Sequence, residues 1–334
     1  MSLFAFPAGF RALVVGGAGD IGSAIAGALL AAGAVCAQSY PTKPIRLIVA
    51  FPAGGSTDII ARIVAQKLQD TIGQPVVIEN RGGSVSIAAQ LTAKATPDGH
   101  SILFYGSPLW LLPLLQKTPY DPVRDFAPVT LAAVSPNILV VHPVLPVSNV
   151  RELVALARAQ PNKLNYASGV AGASAHLAAE LFSNLAQVKL TRVSYKGSAA
   201  ALTAVVSGEV QLMFAVASGV PAHIKTGRLK AVAVTSEKPS PLAPGLPSIA
   251  EQGLPGYEAI LALGVYAPAA TPAPVIERLN QEITRTLAAP AIKERLHRVG
   301  FDPVGSTAAQ LLSMVKTDIA KWGKVVTEAK VRAE

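Results

Sequence analysis

Past residue 38 the chain alternates short apolar runs with stretches of helical periodicity. The runs at 45–51, 76–79, 101–105, 137–142, 164–167, 190–194, 212–216, 230–235 and 259–267 predict β-strands. Several are apolar almost throughout, as strands covered on both faces must be. Between them, apolar positions recur every three to four residues. Residues 57–69 carry Ile59, Ile60, Ile63, Val64 and Leu68 on one stripe, and 150–159, 175–185, 199–207, 272–288, 291–299 and 307–329 predict further helices. Thr271 before Pro272 predicts a capped helix start with proline in the first turn, and Thr307 with Gln310 fits a capping box.

This alternation predicts an α/β fold with mainly parallel sheets. Breaks near 137–145, where Pro143 and Pro146 stand, and near 255–268 suggest a chain that leaves one domain, builds another and returns. The expected division is a signal or non-core extension over 1–37, a first lobe from 38–140 plus 265–334, and a second lobe from 141–264. Ligands of such folds sit outside the carboxyl ends of strands, where the lobes meet.

Composition narrows the function. Hydrophobic residues are 51% and charged residues 15%, the reverse of a disordered chain. The formal charge is +9, yet the 29 basic residues are dispersed, and the densest stretch, 225–230, holds only three. With aromatics at 5%, no nucleic-acid partner is expected. A mild positive field suits a small anion instead. One cysteine, Cys36, excludes an intramolecular disulfide, and the five histidines lack HxH or HxxxH spacing, so neither a metal nor a cofactor is expected.

The N-terminus supports competing readings. Gly17, Gly19 and Gly22 form GxGxxG after an apolar run, which resembles the opening of a short-chain dehydrogenase. The acid expected about 20 residues later is missing, and no tyrosine has a lysine four residues on, so the paired catalytic residues of that family are absent. The favoured alternative is an export signal: an apolar run over 21–35, small residues at Cys36 and Ala37, and cleavage before Gln38. Asp20 is a blemish in that reading, because a charge is costly in an inserting segment. A fused or mis-started fragment stays open as a third reading.

Four strand-to-helix loops carry the candidate chemistry. In FPAGGSTD (51–58), glycines let the backbone approach a ligand, and Ser, Thr and Asp open a helix whose N-terminus favours an anion. It lacks the GK[ST] of a phosphate loop. Asn80 to Ser86 holds Arg81, a carboxylate partner or an ordinary surface arginine. Tyr166 to His176 is rich in small residues, and 193–198 contains Tyr195 and Lys196 before the next helix.

At these loops the chain resembles the Bug-type extracytoplasmic solute receptors of the tripartite tricarboxylate transporters. The resemblance is carried by Tyr40 and Pro41, FPAGGSTD (51–58), VVIENRGG (76–83), ATPDGHSILF (95–104), SPNILVVHP (135–143), LNYASG (164–169), HLAAELF (176–182), YKGSAAALTAVVSGEVQLMF (195–214), GRLKAVAVTS (227–236) and VYAPAATP (265–272). It implies a two-lobed periplasmic-binding fold that closes on a small carboxylate, with Phe51, Ala53, Gly54, Gly55, Ser56, Asp58 and Ser107 from the first lobe and Ser168, Ser174 and Tyr195 from the second. Asp58 has two readings, a water-mediated ligand contact or a complement to its helix dipole. The resemblance also implies a periplasmic, monomeric, non-enzymatic protein that hands its ligand to a membrane permease. Two departures stand out: Ser84, Val85 and Ser86 replace the usual glycine-rich loop, and Ala215 stands where the family has an Asp. Losing that acid makes the cleft less suited to an amine-bearing ligand and friendlier to carboxylates or apolar groups.

Overall fold

The computed structural model describes residues 40–51, 53–81, 85–169 and 172–329. The N-terminal segment, with its GxGxxG, Cys36 and the proposed cleavage site, lies outside the described residues.

The first sheet begins with β1 (Ile45–Val49), flanked by parallel β2 (Val76–Asn80) and β3 (Ser101–Gly106). Beyond β3 lie β9 (Ile260–Pro268) and then β4 (Phe126–Val141), each antiparallel to its neighbour, with the short β10 (Asp302–Pro303) on β4. The second sheet runs from the far end of β4 through β7 (Leu212–Val216) and β5 (Asn165–Ser168) to β6 (Thr191–Ser194), and β8 (Lys230–Val234) also pairs with β4. The expectation of mainly parallel sheets is therefore corrected to mixed sheets. The wings are parallel, but β4 and β9, which carry the chain between the lobes, are antiparallel partners.

β4 explains why its first half escapes sequence reading. Pro128 and Pro136 punctuate it, and proline usually marks the edge or end of a strand. Here Pro128 sits beside a register shift, and Pro136 is the last β4 residue paired with β9. From Asn137 onward β4 pairs with the second sheet. The chain returns at Ala259 and Ile260. At this crossing the Asn137 N–H donates to Thr235 Oγ1 (2.7 Å), and the Thr235 and Ala259 N–H groups donate to the carbonyls of Asn137 and Thr235 (both 2.9 Å).

Helices follow the strands. α1 (Ser56–Ile72) buries Ile60, Ile63, Val64, Leu68 and Ile72, while Ile59, expected on that stripe, faces outward. Gly73 ends α1 in the left-handed region and donates to Gln69 O. α2 (Val85–Ala93) and α3 (Pro108–Leu115) come next. In the second lobe, α4 (Val150–Ala159) opens on Asn149, whose side chain accepts from the Glu152 N–H, and is followed by α5 (Ser174–Ala186), α6 (Ser198–Val206) and α7 (Pro221–Lys225). α8 (Ala273–Ala288) and α9 (Pro290–Arg298) return to the first lobe. Thr271 does not cap α8: Pro272 holds the cap position, and the Thr271 hydroxyl is buried without a partner. The capping box before α10 (Ala308–Ala329) is formed, with Thr307 N–H donating to Gln310 Oε1 and Gln310 N–H to Thr307 Oγ1.

One apolar core runs through both lobes. Tyr105, Trp110 and Tyr266 of the first join Tyr166, Phe182, Phe214 and Tyr257 of the second, with Leu311, Trp322 and Val325 of α10 in the same cluster. α10 thus straps the two lobes together. Separate clusters fill the outer faces, one under α1, α8 and α9, the other under α6. Among the described residues no helix is long and apolar enough to cross a membrane.

Candidate functional site

Four helices start directly at the carboxyl ends of parallel strands: α1 after β1, α3 after β3, α5 after β5 and α6 after β6. None of the four N-termini receives a side-chain cap. Their first-turn N–H groups have no intrahelical partners and carry the positive end of the helix dipole. The contrast is α4, whose N-terminus is closed by Asn149.

In the first lobe Ala53, Gly54 and Gly55 are exposed. Gly54 has φ +83°, where an L side chain is strained, whereas Gly55 is extended at φ −74°, ψ 163°. The loop is held from below by Asp58. Its buried carboxylate accepts from Gly54 N–H (2.8 Å), Arg62 Nε (2.9 Å) and Asn80 Nδ2 (2.9 Å). Burial alone would raise this carboxyl, but the hydrogen bonds from Arg62, Gly54 and Asn80, with the charge of Arg62, hold it below the usual carboxylate range. Asp58 is thus fully engaged in shaping the loop. Asn80 also donates to Phe51 O (3.1 Å), and the Phe51 ring meets Tyr105 edge-on. Arg81 pairs with Glu79, which Arg46 also holds, so its charge is neutralised locally. Neither Asn80 nor Arg62 was legible as a site residue; Asn80 only opens the second candidate loop, and Arg62 only lies one turn past the first.

In the second lobe Ser168 is fully buried. Its hydroxyl accepts from Arg192 Nε (2.8 Å), and its carbonyl accepts from Tyr195 N–H (2.9 Å). The Tyr195 hydroxyl donates to Glu209 (2.8 Å); burial first, and Glu209 second, push it up to about 12. Lys196 is exposed. His176 is buried, and its Nδ1 accepts from Gly172 N–H (3.1 Å), closing the loop that opens α5. Burial, and then the charge of Arg192, bring His176 down to about 4, so it is a neutral brace.

Ser107 and Ser174 come together across the crossing. They line one cavity of about 230 Å³, with Leu111, Leu177, Ala259 and the α10 residues Met314, Asp318, Lys321 and Trp322. The Ser174 hydroxyl donates to Asn137 Oδ1 (3.3 Å), which ties the start of α5 to the crossing strand. The other candidates do not line this cavity. Asn137 was missed in sequence; its signal was a polar residue inside an apolar run. Among the described residues no three His, Cys, Asp or Glu side chains gather as a metal site.

A family model described as tripartite tricarboxylate transporter family receptor matches residues 60–331. The chain belongs to this receptor family. BugT of Bordetella pertussis is 36% identical over 312 residues, covering 92% of this chain and 95% of BugT. Among solved structures, Rpa4515 of R. palustris with adipate is 35% identical with a TM-score of 0.79, covering 88% of this chain and 99% of that one. The periplasmic binding protein BugD is 33% identical with a TM-score of 0.77, covering 88% and 100%. The protein is accordingly an extracytoplasmic solute-binding receptor on a two-lobed fold. The dehydrogenase alternative finds no support in these matches.

Proposed function

We propose that this receptor captures a small carboxylic acid between its lobes and delivers it to the membrane permease of a tripartite transporter. The observation that carries this reading is the set of four helix N-termini left open at the carboxyl ends of strands, two on each side of the crossing. Rpa4515, similar over 88% of this chain, holds adipate. The ligand's carboxylate meets the rim residues Phe51, Ala53, Gly54, Gly55 and Ser56 on one side and the loops of Ser168, Ser174 and Tyr195 on the other, with Ser107 at the floor. Asp58 acts through the loop rather than on the ligand.

Ligand contacts to both lobes exist only when the lobes are closed, so ligand shifts the population toward closure. We place the lobe boundary where the strand pairing changes, at Pro136–Asn137 and Ala259–Ile260, rather than at 140 and 265. The same reading makes the protein a non-enzymatic periplasmic monomer whose first 37 residues are its export signal. The test is calorimetric titration with straight-chain dicarboxylic acids of four to eight carbons, and with amino acids as controls. Saturable binding of at least one acid supports the reading. Binding of none of them, or of the amino acids alone, overturns it.

A further inference from the structure

The two first-lobe cations nearest the cradle are already matched, Arg62 by Asp58 and Arg81 by Glu79. Arg192, on edge strand β6, is different. Its guanidinium reaches along the sheet to the carboxyl end of β5. There Nε donates to Ser168 Oγ (2.8 Å), and Nη2 donates to Gly169 O (3.1 Å) and Ser194 Oγ (3.3 Å). All three acceptors are neutral. Among the described residues no carboxylate lies within ion-pair distance of it, and Nη1 has no hydrogen-bond partner.

The side chain is half-buried, and its charge is only partly reached by solvent. The nearest acid in the sheet is missing too. The parallel register Tyr166↔Leu212 and Ala167↔Met213, extended by two residues, sets Gly169 beside Ala215, a buried methyl. Glu180, on the same side of the sheet, is engaged by the Tyr166 hydroxyl (2.5 Å) and lies beside His176. Arg192 therefore leaves an uncompensated, rigidly held charge at the loop that opens α5. The loop of Gly197 packs against the same spot, 3.5 Å from where a Cβ on Gly169 would sit.

We propose that Arg192 is a specificity-determining residue that selects ligands with a second carboxylate. The inference rests on the carboxylate-capture reading and deepens it. The first carboxylate is held at open helix N-termini, whose partial charges serve mono- and dicarboxylates alike. A second carboxylate, reaching the carboxyl end of β5, meets a full charge and the coplanar Nη1 N–H groups, which no described residue engages. A monoacid of the same length places a methyl group there and gains nothing from Arg192.

The test pairs adipate with hexanoate, which share a six-carbon chain and differ by one carboxylate. Both are titrated by calorimetry into wild type, Arg192→Gln and Arg192→Lys. We expect wild type to prefer adipate by about 30-fold or more, the scale of one charge-assisted contact in a closed cleft. Arg192→Gln, which keeps a donor toward Ser168, is expected to bring the ratio below about 3 while leaving hexanoate nearly unchanged. Arg192→Lys keeps the charge without the fork and is expected to fall between. If Arg192→Gln weakens both acids equally, or neither, Arg192 is only a brace for the loop and the inference fails. Equal wild-type affinity for the two acids also overturns it, with the carboxylate reading left standing. If wild type binds no acid at all, that reading falls and takes this inference with it. Should Arg192→Gln not fold, the Arg192→Lys ratio decides: an unchanged preference contradicts the bidentate role.

Discussion

The indole N–H of Trp110 donates to the Asp318 carboxylate at 3.0 Å, joining residues 208 apart in the chain. Trp110 belongs to α3 beside the cleft, and Asp318 to the strap helix α10. Three residues on, Lys321 Nζ donates to the Glu258 carbonyl (2.8 Å) just before the chain recrosses between the lobes. The strap is thus pinned to the first lobe and to the crossing at once.

This pinning has an electrostatic cost. Burial raises the Asp318 carboxyl, Trp110 and Lys321 draw it down, and Glu258 pushes it up, with a net rise above the usual range. A folded-state value above the unfolded one gives stability that is present at low pH and lost as pH rises through the folded value. Asp318→Asn keeps an oxygen for Trp110 and removes the charge. The expected result is a Tm a few degrees higher at pH 7, with the gain vanishing near pH 3.5, measured by thermal melts across pH.

His176 works in the opposite sense. Its folded value of about 4 lies below its ordinary 6.5, so it contributes stability above 6.5 that is lost as pH falls toward 4. The size of that limb is about 3 kcal/mol at most. Denaturant titrations between pH 4 and 7 should show stability rising with pH in wild type, and a flatter limb in His176→Gln.

Gly54 and Gly55 are adjacent and chemically identical, yet the structure separates them. A Cβ at Gly54 would meet nothing within 4 Å, but φ is +83°. Gly54→Ala should therefore cost about 1–2 kcal/mol from the backbone alone. Gly55→Ala, at an exposed and ordinary conformation, should stay within about 0.5 kcal/mol of wild type. Urea unfolding of the two variants checks the difference.

Tyr40 begins the described chain and is already core: it is buried, its hydroxyl donates to Gly99 O (2.6 Å), and its ring meets His100 edge-on. Removing residues 1–37 should leave the cooperative thermal melt within about 2 °C of the full chain, since the core is already closed at Tyr40. A broad or strongly lowered transition would assign the N-terminal segment a structural role.

The sequence made some parts of this molecule visible and hid others for identifiable reasons. β7 and α4 fall at their expected residues because their apolar runs and caps are unambiguous. α3 escaped because PLWLLPLL has no polar face to set a period. α2 escaped because its nine residues are short for a period and begin just two residues past a glycine pair. Of the site, the FPAGGSTD loop was legible from its composition. What Asp58 does there was not, because its partners Arg62 and Asn80 meet it only in the fold. Arg192 read as an ordinary strand residue for the same reason: its contacts with Ser168 and Gly169 span two parallel strands.

Native mass spectrometry of the protein, purified gently with no acid added, tests the central claim most directly. The account predicts a population heavier than the bare chain by the mass of one small molecule, released on activation and identified as a carboxylic acid. A retained molecule without a carboxyl group would contradict the account, as would a bare chain whose melting temperature none of the four- to eight-carbon dicarboxylic acids raises.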